Sequence, residues 1–511
     1  MPTIRPHRDY QSSASSAASG TSISGPLSGF GEISSISPSP TSQFSFIYGI
    51  NPLLLTAHTY GAGSSVSALN GEAVISSGTN TDSYARLISK KVAKYRAGQS
   101  TLARWTARFT TGISGNRQMA GVYNLEGGYR IGYNGADFGI LYSQSGTIEV
   151  QALTLSAKSS SATTVTVTLD GGAPVTVSVT NGTNASVTAY EISMANYSQV
   201  SGGWDAIAIA NIVYFTRRIA GPAGASSFDP GTSGAIGSFS TVTLGVAESE
   251  IFIPQSDWNV DTCDGRGNSR VNIDHTKGNI YQVQFQYLGY GNAFFSVVNS
   301  DTGLPTLCHM IKNANARTST NLRNPNLYLT WESINTGSTT SVSLIGASGG
   351  TFVEGDIRYL GAQISTTGTK SIAAGIETPI LTLRGSNVYR GRKSTAQIQL
   401  DRISVAVTGS KPVDFKVYKN NTLVAAQFQM VNSLTSAADY DTLSTSFSIG
   451  SGTQIFGFSV GKDGNSTESL TDLACFLQAG EILTVTAFTA TPGGGGGGSD
   501  VSVSIVWIED I

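Results

Sequence analysis

Two alternating segments, Ile280-Tyr-Gln-Val-Gln-Phe-Gln-Tyr287 and Asn292-Ala-Phe-Phe-Ser-Val-Val298, flank the short connection Leu288-Gly-Tyr-Gly291. Alternation at period two puts apolar side chains on one side of a strand, and a glycine-bearing link of this length closes an antiparallel hairpin. The same arrangement recurs along the chain. Tyr129-Arg-Ile-Gly-Tyr133 and Phe138-Gly-Ile-Leu-Tyr142 flank Asn134-Gly135, a type I′ turn signal, and 164–169 faces 175–179 across Asp170-Gly-Gly-Ala-Pro174. Further strands are expected at 103–109, 204–210, 213–215, 326–331 and 340–345, then at 379–383, 395–400, 403–407, 413–418, 454–460, 482–488 and 501–507. Such a series constrains the chain to an all-β fold of serial β-sandwich or jelly-roll domains. Two helices interrupt it in this reading. One spans 83–96, with Tyr84, Leu87, Ile88, Val92 and Tyr95 on one face, Asp82 as cap and Gly98 as stop; a weaker one spans 187–194.

With 511 residues, the chain exceeds one ordinary core and implies two to four domains. A Ser/Gly/Pro-rich arm occupies 1–42, flexible or ordered by a partner. A lectin-like sandwich is expected over 43–245, and a second sandwich, or a continuation of the first, over 246–364. A jelly-roll-like sandwich is expected over 365–511, after a polar boundary at 365–374. The glycine run 493–498 reads as a mobile surface loop, and the strand ending in Trp507-Ile-Glu-Asp-Ile511 as a terminal clasp.

Charged residues make up 13% of the chain, about half the usual share. That balance argues against an enzyme rich in surface helices and fits subunits that pack against one another. A net charge of −2 gives no electrostatic reason to expect nucleic acid as a partner. No 18-residue apolar run suggests a membrane span, and residues 1–8 lead into no apolar region of the secretory type. Cys263, Cys308 and Cys475 are distant in sequence and odd in number, and read as free thiols.

Candidate sites are sparse. His7, His58, His275 and His309 form no ligand or triad spacing. Gly346-Ala-Ser348-Gly-Gly350 matches a nucleophile elbow in letters, but no helix pattern follows it, so a turn between strands is expected. The loop Asp261-Thr-Cys-Asp264-Gly-Arg-Gly-Asn268 superficially resembles a calcium loop. Alternate positions Asp264, Thr262 and Val260 offer a single acid, and Val271 stands where the closing Glu belongs. A turn whose Asp and Asn side chains bond their own backbone is expected instead. Arg266, Arg270 and Lys277 read as a solvated rim, and the basic run 90–96 as the last turns of the first helix. Glu248, Glu250, Asp257 and Asp261 could supply paired carboxylates, though acids at a boundary are usually solubilising. Trp204, Trp258, Tyr287, Tyr290 and Trp331 could form a sugar-stacking platform, though aromatics in strands are more often core. Asn181, Asn184, Asn196, Asn420 and Asn465 begin glycosylation sequons and are expected to be unmodified.

The stretch 251–331 carries a resemblance. Phe252-Ile-Pro-Gln-Ser-Asp-Trp-Asn-Val-Asp261, Asp264-Gly-Arg-Gly267, Lys277-Gly-Asn-Ile-Tyr281 and Gln284-Phe-Gln-Tyr-Leu-Gly289 follow one another. Together they resemble a family of β-rich, virion-associated proteins encoded by tailed phages and large double-stranded DNA viruses. Asn324-Pro325 and the closing Ile505-Val-Trp507-Ile-Glu-Asp510 fit the same pattern. The family loop usually reads Asp-Gly-x-Gly-Pro-Ser-Gly, where this chain has Asn268-Ser-Arg270. The resemblance covers roughly 120–511 and transfers no catalytic residue.

It implies a virion structural protein (minor capsid, decoration, fibre or spike) that acts through assembly with other virion proteins. A homotrimer is favoured, and no enzymatic activity, cofactor or metal is expected. The alternatives are a receptor- or carbohydrate-binding adhesin of a phage tail, bound to a host-surface glycan, and a polysaccharide-degrading enzyme. Exposed Trp and Tyr sharing a groove would favour the adhesin. Two carboxylates about 5 to 10 Å apart in a cleft would favour the enzyme.

Overall fold

Period-two segments fold as the alternation dictates. A computed structural model describes residues 14–15, 22–23, 38–355, 361–409, 411–471, 475–490 and 498–511. The expected mobile glycine loop, apart from Gly498, and most of the expected arm, with His7, lie outside these residues. The protein is all-β, and the one α-helix among the described residues is Ala185–Ser193. The chain divides into two units, Met1–Thr147 with Val246–Arg358, and Ile148–Gly245 with Tyr359–Ile511.

The first unit is a sandwich of two antiparallel sheets. One runs, in order, Ser249–Pro254, Asp137–Gln144, Gly128–Asn134, Asn116–Tyr123, Tyr328–Asn335, Tyr84–Ser89 and Leu55–Tyr60. The other begins Pro305–Ile311, Ala293–Val298, Asn279–Phe285 and Thr101–Phe109, and then divides. One branch holds Ser343–Gly346, Glu72–Ser76 and Ser65–Leu69; the other holds Ser348–Val353 and Ser39–Ser45. All three hairpins signalled by glycine form: in this unit Tyr281 pairs with Val297 across 288–291, and Asn134 with Asp137 across a turn where Gly135 has φ +67°, while Val167 pairs with Val175 in the second unit.

Trp331 lies at the centre of the core between the sheets. Phe44 and Phe46 meet it edge-on, at 5.7 and 5.9 Å, and its indole N–H donates to Thr106 O at 3.0 Å. A Cβ at Gly349 would stand 2.8 Å from Trp331 Cη2, so a glycine there lets the opposite sheet close onto the ring.

Several boundaries differ from those expected. Strands from 246–355 complete the sheets begun by 39–147, so they continue the first unit, while 148–245 build sheets of their own and 43–245 is not one sandwich. Ser39–Ser45 pairs with Ser348–Val353, so 39–42 belong to the sandwich and not to an arm. The segment 83–96 is not a helix. Tyr84–Ser89 is a strand between Leu55–Tyr60 and Tyr328–Asn335, and because both of its faces are buried its apolar residues do not alternate. The basic run 90–96 therefore lies on no helix.

In the second unit, the terminal strand Ser499–Asp510 pairs with Gln397–Gly409 on one side and Ala362–Ile372 on the other. The expected boundary at 365–374 lies mostly within Ala362–Ile372, a strand at the sheet edge whose Ser and Thr side chains look polar because one face is largely exposed. A six-stranded sheet opposes it, ordered Gln429–Met430, Ala438–Asp441, Thr378–Gly385, Ile482–Phe488, Val413–Lys419 and Thr453–Val460. Leu400, Phe415, Val485, Ile505 and Trp507 fill the space between.

Residues 148–245 add a four-stranded sheet, a three-stranded sheet and the helix. Asn184 caps the helix by accepting from Ser186 N and Val187 N. Leu423, Ala426 and Phe428 enter the core of this region, where Ala210 N donates to Phe428 O at 2.7 Å and Arg384 Nη2 to Ala208 O at 2.7 Å.

Candidate functional site

On the seven-stranded sheet one set of alternate residues, including Leu87, Ala120, Ile131, Ile140 and Trp331, fills the core. The other set carries charge. Arg86 and Glu332 are direct cross-strand partners and form a buried ion pair through Arg86 Nε. Arg130 Nη1 reaches the second oxygen of Glu332 at 3.2 Å. Its Nη2 lies 2.5 Å from Ser143 Oγ, 3.4 Å from Glu250 and 3.5 Å from Glu248. Arg117 holds Glu250 with two bonds, at 2.8 and 2.7 Å. Tyr123 donates its hydroxyl to Glu248, and its ring lies 3.8 Å beneath the Arg130 guanidinium.

The named charges balance, three arginines against three glutamates. Burial acts to raise the Glu332 carboxyl, but the charges of Arg86 and Arg130 outweigh it and hold the group below the usual carboxylate range. Burial dominates at Glu248 and pushes that carboxyl up, only partly offset by Arg130. The two groups thus differ in the sense that acid–base catalysis requires. Their partners decide against that use. Glu332 is fully buried with both oxygens bonded to arginine, and both oxygens of Glu250 are held by Arg117. A two-carboxylate hydrolase needs its second carboxylate free to meet water or the sugar. The arrangement instead ties Glu248 and Glu250, where the chain returns at residue 246, to the middle of the sheet.

Of the four acids expected to converge, the structure brings together Glu248 and Glu250. Asp257 is exposed and accepts from Ser256. Asp261 is buried in its own loop, where it accepts from Cys263 N and Ser269 N, each at 2.8 Å. Asp264 accepts from Thr262 Oγ1 and Arg266 N, each at 2.9 Å, which is the self-bonded turn expected from the sequence. Among the described residues no group of three or more His, Cys, Asp or Glu side chains is placed to hold a metal.

Ser348 lies in a strand, so Gly346–Gly350 joins strand to strand. Trp204, Trp258 and Trp331 are buried, Tyr287 is half-buried with its hydroxyl on Leu322 O, and Tyr290 alone of the five is exposed. They form no platform. His275 stacks on Phe138 at 3.4 Å between ring centroids, and the Nδ1 of buried His309 accepts from Asn259 N.

Sequence reasoning missed two features. Arg86, Arg130 and Glu332 carry no local motif, because their contact is cross-strand over 246 and 202 positions. The second is a shallow cleft of about 480 Å³ on the outer face of the other sheet, with Gln43, Ser45, Arg104, Ile280, Ser348 and Phe352 around a floor at Gly349 and Gly350.

No protein-family model matches the chain, and no curated protein matches it. Among solved structures it is similar to the Emp46p carbohydrate recognition domain in its potassium-bound form (9% identity over 60% of this chain and 90% of that one, TM-score 0.19). It is also similar to lectin I-B4 of Griffonia simplicifolia (11%, 61% and 99%, TM-score 0.23) and to an endo-β-1,4-glucuronan lyase of Trichoderma reesei (6%, 61% and 95%, TM-score 0.20). Likenesses this distant transfer neither a ligand nor an activity.

Proposed function

We propose that this chain is a virion structural protein that works through its surfaces, assembling with copies of itself, as a trimer, and with other particle proteins. The apolar surface at one end of the first sandwich carries this reading. Ile47 is 69% exposed, Tyr48 fully exposed and Leu69 64% exposed, and Leu53 and Leu54, a few positions further along the chain, are exposed too. A Cβ at Gly71 would lie 4.0 Å from Ile47 Cα, so the turn at 46–49 adjoins the hairpin at 69–72. A soluble monomer rarely leaves such a group uncovered, whereas a subunit covers it with a neighbour. The use of the 251–331 segment supports the same reading. Trp258, Tyr281, Phe285, Phe295 and Trp331 build the core, and Asp261 holds the loop, so the residues behind the resemblance serve architecture.

Light scattering of the full-length protein tests the assembly. A trimer is expected, and Ile47→Asp with Leu69→Asp should lower the mass while leaving the strand signal in circular dichroism unchanged. A wild-type monomer at every concentration would overturn the self-assembly. Mass spectrometry of purified particles from the encoding genome tests the location, and absence of its peptides would overturn the virion role.

A second reading, glycan binding, is favoured by the outer-face cleft, where Arg104, Gln43, Ser45 and Ser348 offer hydrogen bonds around the Phe352 ring. Glycan-array binding lost in Arg104→Ala and Phe352→Ala would establish it. An unaltered or blank array would remove it.

A further inference from the structure

Cys263 and Cys308 stand 45 positions apart in the chain and meet inside the first sandwich, Sγ to Sγ at 3.1 Å. Both are buried. Sequence spacing gave no sign of this, because one thiol lies in the turn-rich loop and the other on the edge strand Pro305–Ile311. Their backbones are joined independently of the sulfurs: Val260 N and Asp261 N both donate to Cys308 O, at 3.1 and 3.0 Å. Asp261 then accepts from Cys263 N, and Cys263 holds φ +51°, a left-handed conformation fixed by the loop. Ile273 N closes the loop on Cys263 O at 3.0 Å. Cys475 belongs to the other unit, which holds no second cysteine.

We propose that Cys263 and Cys308 form a disulfide that staples the 259–273 loop to the edge strand. A disulfide needs about 2.05 Å between sulfurs, so closure takes roughly 1 Å of sulfur movement. The oxidant is a small disulfide such as oxidised glutathione. One cysteine thiolate attacks it and expels a glutathione thiolate, forming a mixed disulfide. The second cysteine then loses its proton and attacks the protein sulfur of that intermediate, expelling the second glutathione. Two protein thiols are oxidised and one glutathione disulfide is reduced to two thiols. Burial pushes the Cys308 thiol up, which disfavours its thiolate once the core has closed. The bond therefore forms while the loop is open, during folding, and is shielded afterwards. A chain that folds in an oxidising environment would gain this staple without any disulfide framework elsewhere.

The test is a thiol count on the full-length protein, refolded from denaturant with oxidised and reduced glutathione and then alkylated in denaturant. One alkylated cysteine, Cys475, is expected, against three after reduction, with a linked peptide pair containing Cys263 and Cys308 in a non-reducing digest. Cys475→Ser should leave none to alkylate before reduction. Three alkylated cysteines under the oxidising buffer, or linkage through Cys475, would overturn the proposal. The wild-type digest decides the matter even if Cys263→Ser or Cys308→Ser fails to fold.

Discussion

Gly267 lies against the carboxylate of Asp261 so closely that a Cβ at position 267 would stand 2.1 Å from Oδ1. That carboxylate organises the loop by accepting from Cys263 N and Ser269 N. Gly267→Ala should push it away and leave buried donors unsatisfied, at a cost of about 1–3 kcal/mol. Urea unfolding followed by tryptophan fluorescence measures this, since Trp258 is buried in the same core. A variant as stable as wild type would show that the loop is held by other contacts.

Glu332 should matter far more than Glu250. Removing the Glu332 charge leaves Arg86 and Arg130 buried without their main counter-charge, which costs about 3–5 kcal/mol. Glu250 is 30% exposed, so Glu250→Gln should cost about 1 kcal/mol or less. Equal losses in chemical denaturation would contradict the picture of a clamp anchored at Glu332.

Acid should weaken the first sandwich through two histidines. Burial pushes His275 and His309 each down to about 4, against 6.5 for an ordinary imidazole. The unfolded chain takes up these protons near 6.5 and the folded chain only near 4. Their contribution is therefore complete above 6.5 and is lost as pH falls towards 4, roughly 3 kcal/mol for each at most. His309→Gln keeps an acceptor for Asn259 N and should make the fall in melting temperature between pH 7 and 4.5 shallower. An unchanged slope would assign the acid sensitivity elsewhere.

Asn184 starts one of the sequons and also caps the helix Ala185–Ser193. Asn184→Ala should destabilise the second unit by about 1 kcal/mol, read as a lower urea midpoint. Asn184→Asp keeps the acceptor and should recover most of that loss. If both variants match wild type, the cap contributes nothing.

Turn chemistry was the most readable layer of the sequence. Asn134-Gly135 and Leu288–Gly291 each placed a hairpin, because glycine conformation and loop length are local properties. The segment 83–96 misled for a physical reason: a strand buried on both faces loses its alternation, and Tyr84, Leu87 and Ile88 then imitate a helix face. Strand partners were not readable at all. Arg86 and Glu332 meet across 246 positions, and nothing near either residue announces the other. The polar cluster, the cysteine contact and the outer-face cleft all depend on such distant pairings, so none of them was visible before the sheets were known.

Thr147 and Val246 exchange backbone hydrogen bonds at 2.9 and 3.0 Å, so residues 148–245 leave and rejoin the first sandwich at one point. The strand Ser39–Ser45 must meanwhile wait for Ser348–Val353, where Thr41 and Thr351 bond across 310 positions. At ordinary translation rates of about 5–20 residues per second, that wait lasts roughly 15–60 s for each nascent chain. Throughout it the strand Ser39–Ser45 stands outside the ribosome with an unpaired edge, the kind of template on which growing chains stick together. Successful production of this protein should accordingly depend on how crowded its polysomes are and on whether a chaperone reaches that strand before its partner is made.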